Sequence, residues 1–252
     1  MRLAPLEGID HIRCRPHQVK GIPMPSSILI IGASRGLGLA MAVEFLDRGW
    51  NVVGTVQDGT RTGLHDLSDE HPGRVEVQAL DITEPDQITA LYHRFAGRSF
   101  DILFHNAGTA SPGDETIAKV STEEFVRVMV TNALSPMRVI EGLQDLVPAN
   151  GLIGIMSSGQ GSVGNNENGG HEVYRGSKAA LNQYMRCYAA RHAGDARALV
   201  LMAPGWIRTA LGGPNAPFSV EEAIPNVVDV LLSQQGKPGL RYLDREGRTV
   251  PW

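Results

Sequence analysis

Short apolar runs alternate along the chain with longer stretches whose apolar positions recur at helical spacing. Seven runs predict strands: "SILIIG", "NVVGTV", "VEVQAL", "DILFHN", "GLIGIMSS", "RALVLMAP" and "LRYLD". Strands that are apolar almost throughout are typical of a parallel sheet covered by helices on both faces. From residue 26 to residue 252 the pattern therefore predicts one α/β domain, and it shows no repeat, low-complexity tract or linker.

Amphipathic stretches between these runs predict helices: "GLAMAVEFLDRG", "DQITALYHRF", "STEEFVRVMVTNALSPMRVIEGL", residues 174–192 and "SVEEAIPNVVDVLLSQQ". The third begins with a capping box, in which Ser121 is the N-cap and Glu124 stands three residues later. It also contains Pro136, which has no N–H to donate to the carbonyl of Asn132. We expect a kink and a free carbonyl there; the alternative is a helix that ends at the proline.

Residues 1–25 do not share this pattern. They are basic and interrupted by prolines, and they lack the apolar core of a signal peptide. We expect an irregular N-terminal extension, which an upstream start codon before Met24 would explain. The alternative is an arm that packs on the domain or on a partner subunit.

Composition excludes several classes of function. The 252 residues are 42% apolar and 20% charged, which is ordinary for a globular protein with a large core. A net charge of -4 without a basic stripe argues against a nucleic-acid surface, and no apolar run could span a bilayer. Cys14 and Cys187 imply neither disulfides nor a metal site, which fits the cytoplasm.

The stretch "IIGASRGLG" follows the first strand and opens a helix. Its glycines, Gly32, Gly36 and Gly38, allow the backbone to turn tightly and approach a phosphate at the N-terminus of the helix. The stretch predicts a dinucleotide site, and the alternative is a tight turn alone. The spacing is G-x-x-x-G-x-G and not the commoner G-x-G-x-x-G.

The stretch "YRGSKAALN" places Tyr174 and Lys178 one helical turn apart. A phenol with a pKa of about 10 can exchange protons near neutrality if that pKa falls by roughly three units, or about 4 kcal/mol. An ammonium at about 4 Å supplies about 4 kcal/mol at an effective dielectric of 20. We therefore expect Lys178 to lower the pKa of Tyr174.

Together with Asn106-Ala107-Gly108, Asn132, Ser157-Ser158 and Pro204-Gly205, these motifs occur in the order seen in short-chain dehydrogenases/reductases. The resemblance covers residues 27–252. "SSGQGSVGNNENGGHEVYRGSKAALN", "PGWIRTALGGPNAP" and "TVPW" further resemble the C-factor/sniffer-type carbonyl reductases. The resemblance implies a Rossmann-like, doubly wound sheet with strand order 3-2-1-4-5-6-7.

The resemblance also implies four catalytic roles. Tyr174 would be the general acid or base, and Lys178 would lower its pKa and hold the nicotinamide ribose. Ser158, rather than Ser157, would hydrogen-bond the substrate oxygen. Asn132 would hold, at its carbonyl, a water linked to the lysine as a proton relay. The implied cofactor-binding residues are Gly32, Ser34, Arg35, Gly36, Leu37, Gly38, Asp81, Ile82, Asn106, Ala107, Gly108, Tyr174, Lys178, Pro204, Gly205, Trp206 and Thr209.

Several positions leave alternatives open. Asp81 could be only a helix cap, and His105 stands where the family usually has asparagine, so we expect it to be a packed residue. NAD enzymes of this architecture place an acid at the end of the second strand, where this chain has Val56. Arg35 could pair with a 2′-phosphate, which favours NADP(H) over NAD(H), while Asp58 is the argument for NAD(H).

The sequence thus predicts a cytoplasmic NADP(H)-dependent carbonyl reductase or alcohol dehydrogenase that acts on a small molecule, without metal. The resemblance implies a homodimer or homotetramer. The alternatives are a 3-oxoacyl thioester reductase and a cofactor-binding signalling protein. The Gly/Asn-rich residues 159–173 have little apolar anchoring, and the glycines and prolines of residues 206–218 directly follow the implied nicotinamide contact. We expect both segments to form a mobile wall that closes over substrate, and the alternative is that they are exposed connections.

Overall fold

The structure, a computed structural model, describes residues 25–111 and 116–252. The predicted N-terminal extension lies, except for Pro25, outside this part. Seven parallel strands form one sheet in the order β3-β2-β1-β4-β5-β6-β7, which confirms the predicted fold. The strands are β1 Ser27–Ile31, β2 Asn51–Val56, β3 Val75–Ala79, β4 Ile102–His105, β5 Leu152–Met156, β6 Ala198–Ala203 and β7 Gly239–Asp244.

Helices cover both faces of the sheet. They are α1 Gly36–Asp47, α2 Gly63–Glu70, α3 Pro85–Arg94, α4 Thr122–Met129, α5 Ser135–Leu143, α6 Glu172–Arg191 and α7 Val220–Gln234. No helix in the described part of the chain is long and apolar enough to cross a membrane. Within the same residues, no group of His, Cys, Asp and Glu side chains could hold a metal ion.

The side chains of each strand alternate between two cores. Leu29 and Ile31 belong to the core that also takes Ile88 of α3, Ile140 of α5 and Leu181 of α6. Ile28 and Ile30 belong to the opposite core, which is closed by side chains of α1, α2 and α7. Because both faces are covered, the strands are apolar throughout and their pattern is easy to recognise.

The sequence pattern did not predict helix α2. It spans only eight residues, and only Leu64 and Leu67 are buried in it. Its start is a capping box in which His65, rather than the usual Glu or Gln, accepts the bond from the N–H of Thr62 at 3.1 Å. A helix this short carries too few periodic positions to be told from a loop.

The long predicted helix continues without a break in the chain, but its hydrogen-bond pattern changes along its length. Between α4 and α5, residues Val130–Leu134 form a π turn, and the N–H of Ser135 donates to the carbonyl of Val130 five residues back. Pro136 stands in the first turn of α5 and does not end the helix. The chain thus accommodates the proline by widening one turn, because an i→i+5 pattern does not require an N–H at the usual place.

The capping box predicted for this helix is only half formed. The N–H of Glu124 donates to Ser121 Oγ at 3.1 Å, as expected for an N-cap. The carboxylate of Glu124 instead accepts two hydrogen bonds of 2.7 Å from Arg127, one turn later in α4. The Arg127 guanidinium thus replaces the N–H of Ser121 as the hydrogen-bond donor to Glu124.

Candidate active site

Backbone conformation or close packing calls for glycine at each of the three key positions of the loop between β1 and α1. Gly32 and Gly36 have positive φ values of 86° and 58°, which favour glycine. A Cβ on Gly32 would lie 2.7 Å from Ala107 Cβ, and one on Gly38 only 2.0 Å from the carbonyl oxygen of Gly32. The glycines therefore serve close packing as well as the turn.

The loop is tied to its neighbours by hydrogen bonds. Asn106 Nδ2 donates to the carbonyl of Gly32 at 2.8 Å, and the N–H of Ala107 donates to that of Ile31 at 2.9 Å. Thr55, a buried residue of β2 that the sequence did not single out, accepts from the N–H of Gly32 at 2.9 Å through Oγ1. The predicted glycine loop and the Asn106-Ala107-Gly108 motif are thus held together by hydrogen bonds.

The N-terminus of α1 suits an anionic group. Its N-cap, Arg35, makes no side-chain cap, and the first turn carries no acidic residue. The first N–H groups of a helix and its dipole attract phosphate, and a close glycine turn lets phosphate approach. Ser34 and Leu37 stand half-buried beside this turn. These residues fit a dinucleotide, with its pyrophosphate at the start of α1.

Asp81 and Ile82, which are predicted to bind the adenosine half of the dinucleotide, lie in the turn after β3. The Asp81 carboxylate accepts hydrogen bonds from Thr83 N at 2.9 Å, Thr83 Oγ1 at 2.7 Å and Gln57 Nε2 at 3.2 Å. Burial acts to raise the pKa of Asp81, but these hydrogen bonds leave it lowered. Ile82 is buried. The side-chain contacts of Asp81 are those of a turn residue, and the N-cap of α3 is Glu84, so Asp81 is not the helix cap that the sequence left open.

At the end of β2, Val56 is buried and presents no side chain to a ribose. Asp58 is exposed in the following turn, where its carboxylate accepts from the N–H of Thr60 at 2.8 Å. Hydrogen bonding by Thr60 lowers the pKa of Asp58. Arg35 is exposed and forms no ion pair with any residue in the described part of the chain.

The turn after β6 lies over the glycine loop. Gly205 has a φ of 95°, and a Cβ on Gly36 would lie 3.8 Å from Thr209 Cγ2. Trp206 Nε1 donates to the carbonyl of Gly212 at 2.7 Å, and Thr209 Oγ1 accepts from the N–H of Gly212 at 3.0 Å. The loop 206–218 therefore has its own hydrogen bonds, and its closure over a substrate stays a prediction.

Ser157 and Ser158, at the end of β5, have different surroundings. Ser157 is buried and its Oγ donates to Asn182 Oδ1 at 2.6 Å. Ser158 is the N-cap of a 3-10 turn, Gly159–Gly161, and its Oγ accepts from the N–H of Gln160 at 3.1 Å. The Ser158 hydroxyl also lies close enough to Tyr174 to influence its pKa. This favours Ser158 over Ser157 as the residue that faces substrate.

The pKa of Tyr174 is raised, opposite to our expectation. Burial raises it, and the nearby Ser158 hydroxyl lowers it only in part. Lys178 does not correct this, because its Nζ lies 5.9 Å from the Tyr174 ring centroid and donates to the carbonyl of Met156 at 2.9 Å. The lysine is only 4% exposed, and burial lowers its own pKa to about 8.

Asn132 connects the π turn to the rest of the site. Its Oδ1 accepts from the N–H of Thr109 at 2.8 Å, and its Nδ2 donates to the carbonyl of Thr109 at 2.8 Å and to Ser177 Oγ at 3.0 Å. A Cβ on Gly108 would lie 3.3 Å from Asn132 Oδ1 and 3.6 Å from Lys178 Nζ. The asparagine and the lysine therefore approach the same glycine. Neither Thr109 nor Ser177 was singled out beforehand, although Ser177 lies inside "YRGSK".

His105 is a buried, neutral residue, in agreement with our expectation. It ends β4 and pairs in register with Ile31 and Ile155 on the neighbouring strands. Burial first, and the charge of Lys178 second, lower its pKa to about 3. An imidazole with that pKa stays neutral near pH 7 and neither gains nor loses a proton there.

Comparison with known proteins identifies the family. A family profile described as enoyl-(acyl carrier protein) reductase matches residues 32–226. Together with the sheet order, this shows that the chain belongs to the short-chain dehydrogenase/reductase superfamily. Members of this superfamily are NAD(P)-dependent oxidoreductases, and the chain is accordingly an oxidoreductase that transfers hydride.

The chain is also similar to two solved structures and one curated protein of known name. A putative short-chain dehydrogenase/reductase from Burkholderia multivorans with bound NADP is 62% identical, with a TM-score of 0.89, and the match covers 90% of this chain and 100% of that one. A carbonyl reductase from Pseudomonas aeruginosa PAO1 in complex with NADP is 31% identical, with a TM-score of 0.84 and the same coverage. C-signal of Myxococcus xanthus is 30% identical over 60% of this chain and 92% of that protein.

The buried lysine predicts a pH dependence. Below about pH 8 Lys178 is an ammonium, and above it the neutral amine predominates, because burial lowers its pKa to about 8. We expect kcat/KM for the reduced nicotinamide cofactor, which reports on the free enzyme, to fall as the pH rises through about 8. Thermal unfolding at each pH serves as the control for stability. A rate that stays flat to about pH 9.5 would assign Lys178 a higher pKa or no role.

Proposed function

We propose that residues 26–252 form the catalytic domain of an NADP(H)-dependent carbonyl reductase that works in the cytoplasm, where the exposed thiol of Cys187 stays reduced. The observation that carries the proposal is the convergence of Ser158, Tyr174 and Lys178 at the carboxyl end of β5. In parallel α/β sheets, ligands bind at this end of the strands. The glycine loop begins at the carboxyl end of β1 and therefore lies at the same end of the parallel strands.

The proposed chemistry follows from these surroundings. A substrate carbonyl oxygen would accept hydrogen bonds from the Ser158 hydroxyl and the Tyr174 phenol. The bound nicotinamide supplies or accepts the hydride. Because burial raises the pKa of Tyr174, the phenol is protonated at neutral pH and can donate its proton as the carbonyl is reduced. Lys178 holds a positive charge behind the phenol, and Asn132 fixes the position of α6 through Ser177.

The environment of the ribose supports NADP(H) over NAD(H). The aligned position for a ribose-binding acid is the buried Val56, and the exposed Arg35 can reach a phosphate beside the glycine loop. The solved structures from Burkholderia multivorans and Pseudomonas aeruginosa described above contain NADP.

A signalling role is the second candidate, favoured by the similarity to C-signal. A buried lysine costs stability, and a protein that only bound a cofactor would have no need of a protonated phenol beside it. These features support an active enzyme. A 3-oxoacyl thioester reductase would use the same site, so the choice between reductases depends on the substrate.

Replacement of Tyr174 by phenylalanine tests the proposed acid. Tyr174→Phe removes only the hydroxyl, so we expect NADPH binding and thermal stability to persist while turnover falls by about 10²–10⁴-fold. The assay is NADPH consumption over a panel of ketones, aldehydes and 3-oxoacyl thioesters. Tyr184→Phe, which alters an exposed tyrosine of the same helix, is the control. A parent that turns over no carbonyl, or a Tyr174→Phe variant within tenfold of the parent, would refute the assignment.

Replacement of Arg35 by alanine tests the cofactor preference. We expect Arg35→Ala to weaken NADPH binding by about 10–100-fold and NADH binding much less, because only NADPH offers a 2′-phosphate to a charged hydrogen bond. Fluorescence titration of both cofactors measures this. Arg61→Ala is the control, since that side chain is already paired with Asp66 and Asp69. Equal losses for the two cofactors, or a parent that prefers NADH, would contradict the proposal and point to Asp58.

We also propose a homodimer or homotetramer. Several large apolar side chains are exposed on α4, the π turn and α6: Phe125, Val126, Leu134 and Tyr184. Val126→Glu should lower the mass seen by light scattering at micromolar concentration, because a charge would enter the interface. Val43→Glu, on α1 at the opposite face of the sheet, is the control. A monomeric parent protein would refute the proposal.

A further inference from the structure

The chain segment after β7 folds back on that strand and makes contact with both proposed substrate loops. We call residues 239–252 the β7 hairpin. Val250 N donates to the carbonyl of Tyr242 at 2.9 Å, and Asp244 N donates to that of Arg248 at 2.9 Å. An antiparallel bridge joins Leu243 and Thr249. The returning segment is therefore held in place by backbone pairing.

Tyr242 connects this hairpin to the candidate catalytic serine. Its phenol is 1% exposed and donates to the carbonyl oxygen of Ser158. On the other side of the same turn, Asn182 joins Ser157 Oγ at 2.6 Å and the carbonyl of Gly161 at 3.2 Å. Burial raises the pKa of Tyr242 in spite of Asn182 and Ser157, so the phenol keeps its proton and remains a donor.

The hairpin also holds the Gly/Asn-rich loop 159–173. The carbonyl of Trp252 accepts a hydrogen bond from the N–H of Gly164 at 2.9 Å. The indole ring has two neighbours: the centroid of the Tyr242 ring lies 5.4 Å from its centroid, and the Arg186 guanidinium lies 4.7 Å from it. The loop has few apolar side chains, but its middle is fixed to the hairpin through one backbone hydrogen bond.

A third contact holds the loop 206–218. The Arg245 guanidinium stacks 3.7 Å from the Phe218 ring centroid, and its Nη1 donates to the carbonyl of Pro204 at 3.4 Å. A Cβ on Gly205 would lie only 2.5 Å from Arg245 Nη1. The arginine is largely buried at this point. One hairpin thus contacts both loops that flank the proposed reaction centre.

We propose that the β7 hairpin is a common support for the two substrate loops, and that Tyr242 is the positioning residue through which it sets the orientation of Ser158. Tyr242 lies in the core and reaches the serine through its carbonyl, so its effect on catalysis is indirect. The inference rests on the proposed function, because it gives Ser158 its role toward substrate. It also implies that the two loops share one fixed anchor instead of moving independently.

Tyr242→Phe isolates the hydroxyl, because the ring that packs against Trp252 is retained. We expect kcat to fall about tenfold, the equivalent of one lost hydrogen bond of ordinary strength, while the Kd of NADPH stays within about twofold. The primary isotope effect on kcat with deuterated NADPH should rise, because misorientation of the serine slows the chemical step. A loss of folded protein would lower the rate without a change in the isotope effect.

The matched control is Tyr188→Phe. Tyr188 is equally buried on α6, and its hydroxyl donates to Gln144 Oε1 at 2.7 Å, at the opposite end of the sheet. It should leave kcat and the isotope effect unchanged. Equal losses in the two variants, or an unchanged kcat and isotope effect in Tyr242→Phe, would overturn the proposal.

Hydrogen exchange provides a measurement that does not depend on turnover. The amide of Gly164 and those of residues 159–161 should exchange at least about tenfold faster in Tyr242→Phe and in Trp252→Ala than in the parent, and not in Tyr188→Phe. If these amides were equally protected in both variants and in the parent, the proposal that the β7 hairpin supports the loop would be refuted. If the parent reduced no carbonyl while the amides responded as expected, the proposed function would fail and the structural link would stand.

Discussion

The site depends on the burial of one ammonium group. Lys178 is 4% exposed, and its Nζ donates to the carbonyl of Met156, so the end of β5 and the middle of α6 are fixed to each other. A buried charge without such a partner would be costly. The burial also requires a small neighbour at Gly161, where a Cβ would lie 2.9 Å from Lys178 Cβ. A glycine of the loop before α6 thus leaves room for the lysine.

The π turn between α4 and α5 also positions a residue of the site. Because Pro136 cannot donate a hydrogen bond, the helix widens by one residue at Asn132 and then continues. The side chain of Asn132, fully buried, then spans from the backbone of Thr109 to Ser177 of α6. A regular helix would place this amide differently relative to α6. The irregularity that the sequence predicted as a kink is therefore what joins the two central helices of the site.

Elements with a strong local sequence pattern were predicted correctly. Features that depend on contacts between residues far apart in the chain were not. The strands were found to within two residues, because they are apolar throughout, and the glycine loop was found because its positive φ values and close packing call for glycine. Helix α2 was missed because it buries only two residues. The direction of the Tyr174 pKa was wrong, because helical spacing gives the face that a lysine occupies but not its partner, Met156. Tyr242 lies 84 residues from Ser158 along the chain, beyond any local pattern.

Burial acts on the two ionisable groups in opposite directions and leaves both suited to reduction. It raises the pKa of Tyr174, so the phenol holds its proton, and it lowers the pKa of Lys178 to about 8, so the ammonium persists at neutral pH but not far above it. Oxidation of an alcohol would need the phenolate, which the protein alone disfavours. An additional positive charge near the phenol would have to stabilise it, and the cationic form of an oxidised nicotinamide carries that charge. In the proposed mechanism the protonated phenol is therefore the state that starts carbonyl reduction, and an oxidised cofactor would favour the phenolate that starts alcohol oxidation.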